Sequence, residues 1–331
     1  MNIKKIVNTI VLIGISGFFL YLSIEKTDFG LMRSHVNEIN IWLLMVGLGL
    51  LAAGYVVRGR RWQVYFLLMH IPVTFWHSLK TLVMGFAANN VLPLRAGEVY
   101  RAYALHTLYP DVSIPKAFTT VVVERVLDGI TVVFFTLVGS LFLPMPQWAT
   151  QAVEVASGIF GALFVLFIVS AKYPVKAQSV VHTFSVMLPK RIGDKVNIFS
   201  KQLFEGLRAL NSFPSIFRLM GLSLLVWGLE VLFYYTSFHA FGIQLSLGFA
   251  AFLMGIINLA IVIPASPGGV GTYEYVTVLS FSLMGVNESL SFLFAIVTHF
   301  AANITVIIFG ALFWYTLEKE KHLVIPKEAL K

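Results

Sequence analysis

The sequence predicts an all-α, polytopic integral membrane protein: a helical bundle built from inverted repeats that carries two re-entrant helical hairpins. Three observations predict this. The chain is far more apolar than a soluble domain, its apolar runs have membrane-spanning length, and it matches itself at a constant offset.

Composition comes first. Of 331 residues, 58% are hydrophobic and 12% charged, with a mean hydropathy of +0.83. A soluble domain carries about 25% charged residues. The chain has no cysteine, which excludes a disulfide framework, Cys-ligated zinc and thiol chemistry.

The spans follow in order. A bilayer core takes about 20 helical residues, and runs of that scale lie at 6–24, 39–57, 118–143, 149–170, 216–240 and 289–315. The first follows Lys4 and Lys5 with no small-x-small cleavage site after it, so it reads as a retained anchor. Two further apolar regions, 75–112 and 246–286, are interrupted by Pro and Gly.

Lys and Arg in short loops favour the cytoplasm. Lys4 and Lys5 precede the first span, Arg58, Arg60 and Arg61 follow the second, and 172–218 holds eight basic residues against Asp194 and Glu205. Loops 144–148 and 241–246 have no Lys or Arg. Both termini are therefore expected in the cytoplasm. The basic middle segment reads as a solvated linker beside anionic headgroups, each residue contributing about 1 kcal/mol there. With its positive charge gathered in that linker, the chain is not expected to bind nucleic acid.

The internal match has an offset of 174. "GLGLLAAG" (47–54) lies over "GLSLLVWG" (221–228), Pro93 and Gly97 over Pro267 and Gly271, and "ITVVFF" (130–135) over "ITVIIF" (304–309). By the charge rule the two copies run in opposite directions, as in transporters whose site lies where broken helices meet. The whole chain then reads as one domain: anchor helix and outer loop (1–38), repeat 1 (39–143), connecting helix and basic cytoplasmic linker (144–212), repeat 2 (213–317) and cytoplasmic tail (318–331).

The candidate site lies at the interruptions. Non-helical backbone at membrane depth is tolerated only where protein or water satisfies it. In "MGFAANNVLPLRAGEVYR" (84–101), Pro93 ends one half-helix, Gly97 permits the reversal, and a new helix begins around Glu98. Asn89 and Asn90 can bond the exposed backbone, while Arg95, Glu98 and Arg101, three apart, are expected on one helical face. In "NLAIVIPASPGGVGTYEY" (258–275), Pro264 and Pro267 break the chain, Gly268, Gly269 and Gly271 turn it, and Glu274 opens the next half-helix. A simple kink with charges reaching the interface is the bland alternative at both places.

Further charges lie inside spans, where each costs about 2.5–3.5 kcal/mol at a helix centre. Glu124 and Asp128 are four apart, with Arg125 able to pair with either. An interfacial cluster is the alternative there. Glu230 lies deep in its span without a neighbouring base, and His299 and Asn303 share a helix face in the last one. A lone His is more often a packed residue than a ligand. Together these residues predict a polar cavity. Neither "SPGGVG" nor any His/Asp/Glu spacing fits a nucleotide or metal motif, and no cofactor is expected.

At "NNVLPLRAGEVYRAYAL" (89–105), "ERVLDG" (124–129) and "PASPGGVGTYE" (264–274) the sequence resembles the transmembrane flippase-like domain of lysylphosphatidylglycerol synthetase/flippase proteins. The resemblance covers essentially the whole chain. It implies a bundle that moves a phospholipid or lipid-linked headgroup between leaflets of a bacterial or archaeal cytoplasmic membrane. In this reading Arg95, Arg101 and Arg125 meet a phosphate, and Glu98, Glu124, Asp128 and Glu274 meet cationic groups or protons. The chain ends at Lys331 after a short charged tail, so the soluble aminoacyltransferase domain, and with it enzyme activity, is expected to be absent. The expected partners are membrane lipids: anionic or aminoacylated phospholipid, or a polyprenyl-phosphate-linked headgroup. A homo-oligomer or a partner lipid enzyme stays open, as do an accessory role beside a lipid- or glycan-processing enzyme and an integral-membrane lipid-modifying enzyme.

Overall fold

A computed structural model describes residues 3–25, 27–92, 95–141, 143, 147–207, 213–262 and 267–324. Among these the chain is helical in thirteen α-helices: α1 (Ile3–Ile24), α2 (Phe29–Val36), α3 (Ile41–Leu68), α4 (Phe75–Val91), α5 (Gly97–Leu108), α6 (Ile114–Ser140), α7 (Gln147–Lys172), α8 (Pro174–Ser185), α9 (Lys190–Leu207), α10 (Phe213–Ala240), α11 (Leu247–Ile261), α12 (Thr272–Ser282) and α13 (Glu288–Val324). A 3₁₀ turn, Pro267–Gly269, precedes α12. Four of the six expected spans fall within α1, α7, α10 and α13; the other two, 39–57 and 118–143, correspond to α3 and α6 but overrun them by two residues at the start and three at the end. Within α3, α10 and α13, the segments Ile41–Leu68, Pro214–Ala240 and Glu288–Lys319 are long and apolar enough to cross a membrane.

Local sequence sets the boundaries. Asn40 caps α3 by accepting from the backbone N–H groups of Trp42 and Leu43, satisfying donors that have no partner inside the helix. Thr74, Ser113 and Ser246 cap α4, α6 and α11 in the same way. Helix α4 ends at Val91 and Leu92 turns extended, as the steric demand of a following proline requires.

Two groups of four helices follow one order of lengths, close in the first three members and longer by ten residues in the last of the second group. Helices α3, α4, α5 and α6 have 28, 17, 12 and 27 residues, whereas α10, α11, α12 and α13 have 28, 15, 11 and 37. The packing is reciprocal. Helix α3 lies against α10, α4 against α13, and α11 against α6. Each group also has its own apolar core. Trp62, Phe66, Leu82 and Leu105 centre the first; Phe238, Phe249, Phe281 and Phe294 centre the second. In the second core Phe238 meets the other three rings at 5.6–5.8 Å between centroids, the tilted and edge-on geometry that aromatic quadrupoles favour.

Two expectations are corrected here. Arg58 and Arg61 do not follow the second span in a loop, because α3 continues to Leu68 and carries both inside the bundle. Only Arg60 of the three is exposed. The segment read as a linker folds into α8 and α9, which pack on each other. Helix α9 also packs on α6, where Phe199 meets Phe118 with ring centroids 6.0 Å apart.

Candidate functional site

Both helix interruptions open on one cavity of about 210 Å³. Asn89, Asn90 and Arg95 reach it from the first, and Gly268 and Gly269 from the second. Arg58 of α3, Arg125 of α6, Glu230 of α10, and His299 and Asn303 of α13 complete its polar wall. The two interruptions also touch directly: Arg95 donates through Nη2 to the backbone carbonyl of Ile261, 3.0 Å away at the end of α11. Arg95 holds φ at +53°, a left-handed conformation that costs a non-glycine residue energy and persists only where surroundings impose it. A carbonyl left free where α11 stops gives that contact its use.

Behind this wall lies a buried network of charges. On α3, Arg61 donates to Asp128 at 2.6 Å and to the Ser223 hydroxyl at 2.7 Å, and its Nη2 lies 3.5 Å from Glu124. Arg101 of α5 donates to Glu124 at 3.2 Å. Asp128 accepts from the Trp227 indole N–H at 2.9 Å. Arg58 donates to Glu230 at 2.9 Å, lies 3.7 Å from Asp128, and stacks 4.5 Å over the Trp227 ring. Glu230 accepts a further bond from Asn258 at 3.0 Å. Arg61, Arg101, Glu124 and Asp128 are each no more than 3% exposed. Charges so buried persist only when paired and hydrogen-bonded. Helical spacing makes the pairing possible: Arg58 and Arg61 are three apart on α3, Glu124 and Asp128 four apart on α6, so each pair presents one face.

At the first interruption, Arg125 Nε lies 2.8 Å from Glu98 and Arg95 Nη1 3.9 Å from the same carboxylate. The second has the same plan with other chemistry. Glu274, three residues into α12, accepts the Gly271 N–H at 2.6 Å. Its other oxygen lies 2.6 Å from Nδ1 of His299, whose Nε2 lies 2.8 Å from the carbonyl of Gly268. The His299 ring stacks on Tyr273 at 4.1 Å. Gly268, Gly269 and Gly271 all have positive φ, between 66° and 86°, which a side chain would strain.

The residues singled out from the sequence thus divide. Asn89, Asn90, Arg95, Arg125, Glu230, His299 and Asn303 line the cavity. Glu98, Asp128 and Glu274 stand behind it as partners of Arg95, Arg125 and His299, and Arg101 and Glu124 lie deeper, paired with each other. Gly97 begins α5, Pro267 begins the 3₁₀ turn, and Pro93 and Pro264 lie outside the described residues. One expectation is corrected. Arg95 does not share a helical face with Glu98 and Arg101, because α5 starts only at Gly97 and Arg95 sits in the turn before it. Sequence reasoning missed Arg58 and Arg61 as members of the network, and Asn258 and Trp227 altogether. The available signal was that Glu230, a buried carboxylate without a local base, needed a distant one.

Comparison with known proteins gives this architecture a family. The lysylphosphatidylglycerol synthase TM region matches residues 9–310. A UPF0104 membrane protein of Methanothermobacter thermautotrophicus is 30% identical over 253 residues, 70% of this chain and 72% of the relative. UPF0104 membrane protein MJ1595 of Methanocaldococcus jannaschii is 25% identical over 341 residues, 97% of this chain and 98% of the relative. Glycosyltransferase AglD of Haloferax volcanii is 27% identical over 253 residues, 67% of this chain but 40% of that protein. No solved structure matches the chain significantly. The chain belongs to the family of the lysylphosphatidylglycerol synthase TM region, and it is a membrane protein.

Proposed function

We propose that this protein carries a lipid headgroup between membrane leaflets through the cavity, without chemistry of its own, while the lipid tails stay in the bilayer. The observation that carries this reading is the meeting of two helix interruptions at one polar cavity, joined by Arg95, among helices α3, α10 and α13 that are long and apolar enough to cross a membrane. Broken helices meeting around a central site are the mark of alternating-access transporters. Four-helix groups with the same order of long and short helices, packed reciprocally, support a duplicated, inverted arrangement in which α4–α5 and α11–α12 act as re-entrant hairpins gating opposite sides. Orientation with both termini in the cytoplasm rests on Lys4, Lys5 and the basic segment 172–218, since Arg58 and Arg61 no longer count as loop charges.

The lining suits a headgroup of mixed charge. Arg95 and Arg125 present guanidinium groups to a phosphate, and Glu230 with the asparagines accepts or donates to the remainder. Arg101, Glu124 and Asp128 hold the wall in place rather than touch the headgroup. An apolar cavity of about 130 Å³ between α3, α4 and α13 shares Tyr55 with the polar one, which suits an acyl or prenyl chain beside its headgroup.

The test is transbilayer movement in liposomes containing the purified chain, with aminoacylated phosphatidylglycerol, phosphatidylglycerol, phosphatidylethanolamine and a polyprenyl-phosphate sugar as probes. Movement of one lipid class, lowered about tenfold by Arg95→Ala at unchanged folded yield, is the expected result. A folded protein that moves none of them would overturn it. One observation favours a second reading, an accessory role beside a lipid- or glycan-processing enzyme: a glycosyltransferase contains a matching region within a longer chain. Stable co-purification with such an enzyme, without intrinsic transport, is its sign.

A further inference from the structure

We infer that His299 and Glu274 form a proton-binding latch: while the pair holds its proton the second interruption is pinned shut, and loss of that proton frees the turn at Gly268. Both ring nitrogens of His299 face oxygens, Nδ1 the Glu274 carboxyl at 2.6 Å and Nε2 the Gly268 carbonyl at 2.8 Å. A backbone carbonyl can only accept, a carboxylate can only accept, and a neutral imidazole has one N–H. The second oxygen of Glu274 is already occupied by the Gly271 N–H. Both contacts are satisfied only if the pair carries one proton beyond a neutral imidazole and a carboxylate, either as imidazolium or as a carboxylic acid donating to Nδ1.

Removing that proton leaves a single N–H for two acceptors. The charge-assisted bond to the carboxylate is the stronger, so the N–H stays on Nδ1. The Nε2 lone pair then opposes the Gly268 carbonyl, and that contact is lost. Gly268, Gly269 and Gly271 lie together in this turn, where the backbone has the most freedom to move once released. His299 lines the cavity, so the proton has a path to solvent entering there. The stack on Tyr273, itself hydrogen-bonded to Thr298 at 3.0 Å, fixes the ring plane.

Across the cavity the other charged groups are Arg58 of α3, Arg95 in the first turn, Arg125 of α6 and Glu230 of α10. Arg58 and Glu230 pair with each other, and Arg125 with Glu98. Tyr234 of α10 and Tyr273 of α12 also face the cavity. Helix α2 meets α13 at Ser289, through the Asp28 N–H, ten residues before His299. The assignment of the latch to transport rests on the proposed function; the latch itself does not.

The absence of cysteine permits a direct test on the full chain in detergent. A single cysteine, Thr272→Cys, placed where the turn enters α12 and only 7% exposed while the latch is closed, is labelled with a maleimide from about pH 5 to 9, bracketing the window in which imidazole changes charge, and normalised at each pH to denatured protein. Labelling of the parent is expected to rise about tenfold with pH, as the loss of one hydrogen bond, that to the Gly268 carbonyl, implies. Glu274→Gln is the decisive variant. Its amide donates to Nδ1 and its oxygen accepts from Gly271, so the latch closes without the extra proton and labelling stays low throughout. His299→Ala should label fast at every pH. Flat labelling of the parent, or a Glu274→Gln variant that tracks it, overturns the latch. In liposomes, lipid movement should rise with pH in the native chain and stay at its low-pH level in Glu274→Gln. Equal pH profiles would reject the coupling, whereas no lipid movement in the native chain would reject the flippase reading alone.

Discussion

The two interruptions solve one problem with different chemistry. In each, a short helix stops, the chain turns, and a second short helix opens with a carboxylate that is held by a base on the long helix following it. At the first interruption the base is Arg125, 2.8 Å from Glu98, and the turn is fixed by a second guanidinium, Arg95. At the second the base is His299, 2.6 Å from Glu274, and the turn is made of glycines with positive φ. Arginine keeps its charge at every physiological pH, whereas histidine changes charge near neutrality. On the proposed latch, the first anchor therefore holds at every pH and the second gives way when its proton leaves.

The anchoring difference can be broken most violently in the network behind the first interruption. Asp128→Ala would leave Arg61, 1% exposed, without its closest carboxylate and the Trp227 indole without its acceptor. Breaking a buried pair from one side costs about 3–5 kcal/mol. The expected outcome is a sharp fall in thermal stability in detergent, with much of the protein lost to aggregation. A melting curve that matches the parent would mean that the network does not hold α3, α6 and α10 together.

Glycine positions sharpen the comparison at intermediate size. At Gly97 an added Cβ would strike the carbonyl of Gly85 and lie 2.7 Å from the Asn89 amide nitrogen. Gly97→Ala must therefore separate α4 from α5, at a cost of about 1–3 kcal/mol from overpacking. At Gly268 nothing lies closer than 3.5 Å to an added Cβ, and the cost is conformational, about 1–2 kcal/mol for the left-handed backbone. Denaturation curves of the two variants should rank Gly97→Ala as the more damaging. The reverse order would place the tighter constraint at the second interruption. The smallest effect is expected at Gly49, an exposed helical position where an added Cβ meets nothing within 4 Å. Gly49→Ala should stabilise by about 0.5–1 kcal/mol through helix propensity, and it serves as the control for glycine removal away from the turns.

How much of this was legible depended on whether the determining interaction was local. Pro93, Gly97, Pro267 and Gly271 mark the interruptions by backbone chemistry alone, so the places where the helices break could be read directly from the sequence. The polar residues beside them, such as Asn90, Glu98 and Glu274, were legible because a long apolar run makes each one conspicuous. Arg58 and Arg61 were visible but misread. Basic residues at the end of an apolar run ordinarily mark a membrane surface, and the carboxylates that neutralise them, Asp128 and Glu230, lie 67 and 172 positions away.

By itself, then, the sequence determined the helical class, the positions of the breaks and the set of ionisable groups that had to be accommodated, since all three follow from side-chain hydrophobicity and backbone stereochemistry over a few residues. Tertiary structure alone decided which charges line the cavity and which stand behind it, and that both interruptions meet at a single place. The physical reason is that a buried charge is stable only with a partner at hydrogen-bond distance, and which partner comes that close is fixed by how α3, α6 and α10 pack.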